Sequence, residues 1–178
     1  MSERSNFIFK ALRIVAWVIF VGLSVEAGGL IVNFIFSIYK PEFVPNLYQK
    51  LDLSNLYDLN EWGFYAVYSF ILIISILKAY LFYLVIELIS KFDLEKPFNY
   101  YISNQITKIS YFTFSIGIVS YIGRQTAKNL VHDGFAVNSL GEFWADSQAF
   151  ILMAGVVYVI ATIISRGVAI QNEHDLTI

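Results

Sequence analysis

Glu26 and Lys78 are the residues whose chemistry is most constrained by where they stand in this chain. Residues 14–38 hold Glu26 as the one charge in 25 positions, and residues 62–86 hold Lys78 in the same way. A helix needs about 20 mostly apolar residues to cross the hydrocarbon of a bilayer. An ionised side chain at its centre costs roughly 2.5–3.5 kcal/mol, so each of the two is expected to find a partner. Glu26 lies 12 residues past Ile14, and Lys78 lies 8 residues before Ile86. At 1.5 Å per residue those depths are about 18 and 12 Å, a gap that a lysine stem can bridge. Arg124, just beyond a third uncharged run, approaches from the opposite side. The expectation is a buried Glu26–Lys78 pair, with Arg124 as a third member and Asn33 on the same helix face.

Helical spacing supports that placement. Gly22, Glu26, Gly29 and Asn33 fall at i, i+4, i+7 and i+11, a stripe of small and polar residues. Lys78 shares a face with Ser75 and Ala79, and Thr113, Gly117, Ser120 and Arg124 repeat the first pattern. Small residues mark where membrane helices approach closely, so Glu26 is expected to face its neighbours. Two roles fit such a pair: fixing helix register, or relaying a proton or ion. One deep acid without a chain of further carboxylates favours register.

Other chemistry is thinly represented. His132-Asp133 and His174-Asp175 are expected on opposite sides of the membrane, and one histidine beside one acid is a poor zinc site. Cysteine is absent, which removes disulfides, thiolate catalysis and thiolate-held metals. No Gly-rich phosphate loop, HExxH or GxSxG occurs. Ser24, Ser69, Ser75, Ser115 and Ser120 stand inside the apolar runs, where a hydroxyl usually bonds its own helix backbone. The residues therefore point to a non-enzymatic protein with no cofactor and no metal. A net charge of −2 offers no footprint for direct nucleic acid binding.

The elements that position these residues follow from composition. Of 178 residues, 57% are hydrophobic and 15% charged, with mean hydropathy +0.62. Soluble domains carry about 25% charged residues, so the chain is read as membrane-embedded. The first run exceeds a signal-peptide core of about 7–15 residues and is expected to be retained. Two further runs follow, a short one at 109–123 and a longer one at 147–165. The runs are continuous rather than alternating, so they predict helices rather than a barrel. Expected helices cover about 11–38, 62–89, 104–127 and 147–169, with a tail at 170–178.

Local signals set some boundaries. Pro97 and Asn99 predict a turn and N-cap before Tyr100. Ser139-x-x-Glu142 predicts a capping box for the fourth helix. The 39–61 connection predicts a short interfacial helix with Leu47, Tyr48 and Leu51 toward lipid. Orientation follows from the basic flanks. Arg4, Lys10, Arg13, Lys91, Lys96, Lys108 and Arg166 fall on one side; Lys40, Lys50, Arg124 and Lys128 fall on the other. The bias puts both termini in the cytoplasm, with Trp62 and Trp144 at the opposite interface. The predicted fold class is all-α: a four-helix transmembrane bundle of the bacterial cytoplasmic (inner) membrane.

The carboxyl end changes character. Asn172, Glu173, His174 and Asp175 form an acidic patch, and Leu176, Thr177 and Ile178 close the chain. Two segments, Lys96-Pro97-Phe98-Asn99 with Asn104 and Ile106–Ile109, and Arg166-Gly167 through Asp175-Leu176-Thr177-Ile178, resemble the YoaS-like small bacterial membrane proteins, a family of unknown function. The resemblance covers roughly the carboxyl-terminal two-thirds. It implies four membrane helices, cytoplasmic termini and a link to a small cytoplasmic helix-turn-helix regulator. The expected function is regulatory or partner-binding, with Glu173–Ile178 and the 91–108 loop as contact surfaces. The alternative is a small transporter or channel subunit using Glu26, Lys78 and Arg124. A homodimer also fits, because four helices enclose little interior space.

Overall fold

A computed structural model describes residues 3–40, 42, 44, 53–92, 99–135 and 140–175. Leu47, Tyr48 and Leu51 of the expected interfacial helix lie outside these residues. So do Ser139 of the expected capping box, Lys96-Pro97-Phe98, and Leu176–Ile178 of the tail. The described residues contain four long helices and two short ones and no strand. They are α1 (Glu3–Tyr39), α2 (Ser54–Leu59), α3 (Glu61–Lys91), α4 (Tyr100–His132), α5 (Gly141–Trp144) and α6 (Ser147–Asp175).

The long helices outrun the apolar runs that announced them. Lipid thickness limits the apolar stretch, but a helix continues into water until something stops it. At α3 the start is marked by Asn60, whose Oδ1 accepts from the Gly63 N–H at 2.9 Å. Asn99 does the same for α4, accepting from Ile102 N–H at 2.8 Å, as its sequence position predicts. The end of α4 is a glycine stop. Gly134 takes φ +92°, Phe135 N–H donates to Leu130 O, and Gly134 N–H donates to Val131 O. Past Ser165 no glycine or proline in a breaking position stops α6, and it runs to Asp175, beyond the predicted 169.

The four long helices form a row rather than a closed bundle. α1 packs on α3, α3 on α4 and α4 on α6, and no comparable contact joins α1 to α6. Successive helices are antiparallel, so both termini lie at one end. Closing a ring gains little in lipid, because acyl chains are as apolar as leucine. Val18, Val25 and Val32 on α1, and Leu152, Val159 and Ile163 on α6, accordingly remain exposed. Three helices, α1, α3 and α6, are long and apolar enough to cross a membrane. α4 carries the buried polar residues Ser103, Gln105, Ser110, Thr113 and Ser120 between its neighbours.

Two seams hold the row together. Along α1, Ala16, Ala27, Leu30 and Ser37 are buried, with Phe20, Leu23 and Phe34 half-buried between them. These residues alternate spacings of four and three, the heptad pattern of a left-handed pair. Against them stand the α3 tyrosines: Tyr68 Oη donates to Leu30 O at 3.0 Å and Tyr65 Oη to Ser37 O at 3.2 Å. The α4–α6 seam is built from small residues. Ser103 Oγ donates to Ala161 O at 3.2 Å, Ser110 Oγ to Ala154 O at 2.9 Å, and Gly117 lies against Ser147 and Ile151. Each step moves seven residues forward on α4 and seven back on α6, which keeps the seam aligned along its length.

Candidate functional site

The expected Glu26-centred network does not assemble. Glu26, Gly22 and Gly29 are exposed and Asn33 is half-buried, so this stripe points away from the seam that α1 shares with α3. The cause is packing. The buried seam uses Leu30 and Phe34, which fill the surface between Tyr65 and Tyr68, whereas a glycine stripe offers little area to bury. At the edge of the row α1 has one neighbour, so only one of its faces can be covered. Lys78 is half-buried, and its Nζ sits 5.9 Å from the centroid of the Phe150 ring. Arg124 is exposed on the half of α4 away from the termini. Among the described residues, no ion pair links Glu26, Lys78 or Arg124.

Trp144 departs from expectation as well. Trp62, in the first turn of α3, is 87% exposed, but Trp144 is 4% exposed. Its ring lies within 3.0 Å of where a side chain at Gly123 would begin, with Phe70 beside it. Gly123 opens the slot that takes the indole into the core.

A separate set of polar side-chain contacts lies at the end carrying both termini, and it reaches every long helix of the row. Arg13 Nη2 of α1 donates to Ser90 O of α3 at 3.4 Å. Glu87 of α3 is the hub. Its Oε1 accepts from Lys91 Nζ at 2.9 Å and Tyr101 Oη at 3.0 Å, and its Oε2 accepts from Gln105 Nε2 at 3.0 Å. Gln105 is buried, and the same amide also reaches Leu84 O at 3.4 Å. Lys91 Nζ stands 4.9 Å from the Tyr101 ring centroid. Finally, Asn172 Nδ2 of α6 donates to Tyr100 Oη of α4 at 3.4 Å. Glu87 stands outside the Glu26, Lys78, Arg124 and Asn33 network that the sequence predicts. The missed signal is a pair of i, i+4 spacings, Glu87/Lys91 and Tyr101/Gln105, on either side of one short connection.

This belt ties the helix ends together. Exposed Ile170, Gln171, Asn172 and Glu173 follow it on α6. His132 Nδ1 and Asp133 Oδ1, 3.9 Å apart, are exposed at the opposite end. Grooves also mark the surface of the described residues. One, about 490 Å³, runs between α3, α4 and α6, with walls from Leu81, Phe82, Ile109, Phe150 and Met153. Another, about 430 Å³, lies at the end away from the termini and is lined by Arg124, Lys128 and Trp144. Searches of family models, curated proteins and solved structures return no match to the chain.

Proposed function

We propose that this chain is a non-enzymatic, multi-pass protein of the bacterial inner membrane that binds a small cytoplasmic DNA-binding regulator. In this reading all four long helices cross the bilayer, α4 shielded by α3 and α6, and both termini face the cytoplasm. The observation that carries it is the extension of α6. Its uncharged run ends at Ser165, yet the helix continues to Asp175, with residues 169–173 exposed. The belt from Arg13 to Asn172 ties that protruding end to the start of α4. A rigid, exposed helix end is a better docking element than a frayed tail, because less ordering entropy is lost on binding. The resemblance to the YoaS-like proteins implies the same class of partner.

The test is deletion of residues 172–178 from the tagged full-length chain. Membrane insertion should persist, and crosslinking mass spectrometry should lose the link to the cytoplasmic regulator. An unchanged crosslink would remove the tail from the interface. Compartment is read separately by single-cysteine labelling, for which the native chain offers no background. Cysteines at positions 6 and 172 should react from the cytoplasmic side, and cysteines at 60 and 134 from the other.

A further inference from the structure

The groove at the end away from the termini combines two features rarely found together on a plain surface. Arg124 and Lys128 stand one turn apart on the exposed side of α4, and neither has an ion-pair partner among the described residues. Glu142, exposed on α5 next to lining residue Gly141, makes no ion pair with them. Apart from the two cations the lining residues are apolar: Ala127, Val131, Gly141, Trp144 and Ala145.

Depth narrows the ligand class. Gly123, the residue before Arg124, lies against Phe70 of α3, and Leu130 lies against Gly63. The cations therefore sit level with the first turns of α3, within about 10 Å of Trp62, where its uncharged run begins. That is the interfacial zone of a bilayer, where basic side chains extend along apolar surface and present their charged tips to phosphates.

From this geometry we infer that the groove is a binding site for an anionic phospholipid. Its phosphate is held by Arg124 and Lys128, and its glycerol end lies on Ala127, Val131 and Trp144. The Arg124 fork matches two phosphate oxygens at once, and Lys128 adds a second positive charge from the next turn. A free phosphate would share the cations but would have no use for the apolar floor. The inference rests on membrane insertion and not on partner binding at the opposite end.

The experiment uses full-length protein in nanodiscs of phosphatidylcholine containing phosphatidylglycerol, with retained lipids counted by native mass spectrometry. Wild type should retain phosphatidylglycerol in preference to phosphatidylcholine. The double variant Arg124→Gln/Lys128→Gln should lower that preference about 30-fold, from the near-surface value of each basic side chain toward anionic lipid. Gly141→Leu should lower it with both cations intact, because a side chain there enters open space and leaves the fold undisturbed. Lys108→Gln, an exposed charge outside the groove, should leave it unchanged. Equal loss in Lys108→Gln, or unchanged retention in the double variant, overturns the site. Stabilisation by inorganic phosphate equal to that by phosphatidylglycerol overturns the lipid as its occupant.

Discussion

Replacing Gly117 by alanine should drive α4 and α6 apart. A Cβ at that position would fall 2.6 Å from Ile151 Cγ1, 3.0 Å from Ile151 N and 3.1 Å from Ser147 O. The Ile151 side chain can turn away, but the two backbone atoms cannot, so the helices must separate by some tenths of an ångström. Overpacking of this kind costs about 1–3 kcal/mol. Separation also stretches the Ser110–Ala154 and Ser103–Ala161 hydrogen bonds, worth about 0.6 kcal/mol each in membrane helices. Alanine's helix propensity returns about 1 kcal/mol. Gly155→Ala on α6 is the matched control, since a Cβ there meets nothing within 4 Å and receives only the propensity gain. Gly117→Ala should therefore be less stable than Gly155→Ala by about 2–4 kcal/mol once that shared gain cancels. Reversible unfolding in dodecylmaltoside with rising dodecyl sulfate, followed by circular dichroism, measures the difference. Equal midpoints would refute the close α4–α6 seam.

Three further outcomes follow from named contacts. Glu26→Gln should change stability by less than about 0.5 kcal/mol in the same assay, because an exposed, unpaired group meets detergent in the folded and the unfolded state alike; a loss of about 3 kcal/mol would instead mark a buried pair with Lys78. Tyr68→Phe removes the buried bond to Leu30 O and should cost about 1 kcal/mol, with faster hydrogen exchange in α1 around Leu30–Phe34 as its local signature. Glu87→Ala leaves the buried Gln105 amide only its 3.4 Å contact with Leu84 O and frees Tyr101. It should lower stability and raise exchange at the start of α4, whereas unaltered exchange there would show that the belt does not hold the helix ends.

A row of helices has consequences that a ring lacks. Its two broad faces both meet lipid, and side chains at the edge helices are covered on one side only. Glu26 illustrates this: its stripe has the composition of a contact surface, yet α1 spends its one contact on the Leu30–Phe34 seam. Lys78, on the next helix, settles for the face of Phe150 rather than a carboxylate.

The sequence by itself determined the all-helical class, the membrane setting and several helix limits. These depend on local quantities, namely the length of an uncharged run and an Asn able to accept from the backbone three residues on. Burial was another matter. A helix that is apolar on every side carries no periodic mark of which side is inside, because lipid and protein core are equally apolar. For that reason the buried face of α1, the core position of Trp144 and the row itself were decided by side-chain fit in three dimensions. The α4–α6 seam lay between these extremes. Its small residues recur every seven positions in both segments, Ser103, Ser110 and Gly117 against Ser147, Ala154 and Ala161, but only antiparallel contact pairs them one to one. Spacing could suggest two matching stripes; which helix each one meets depends on shape.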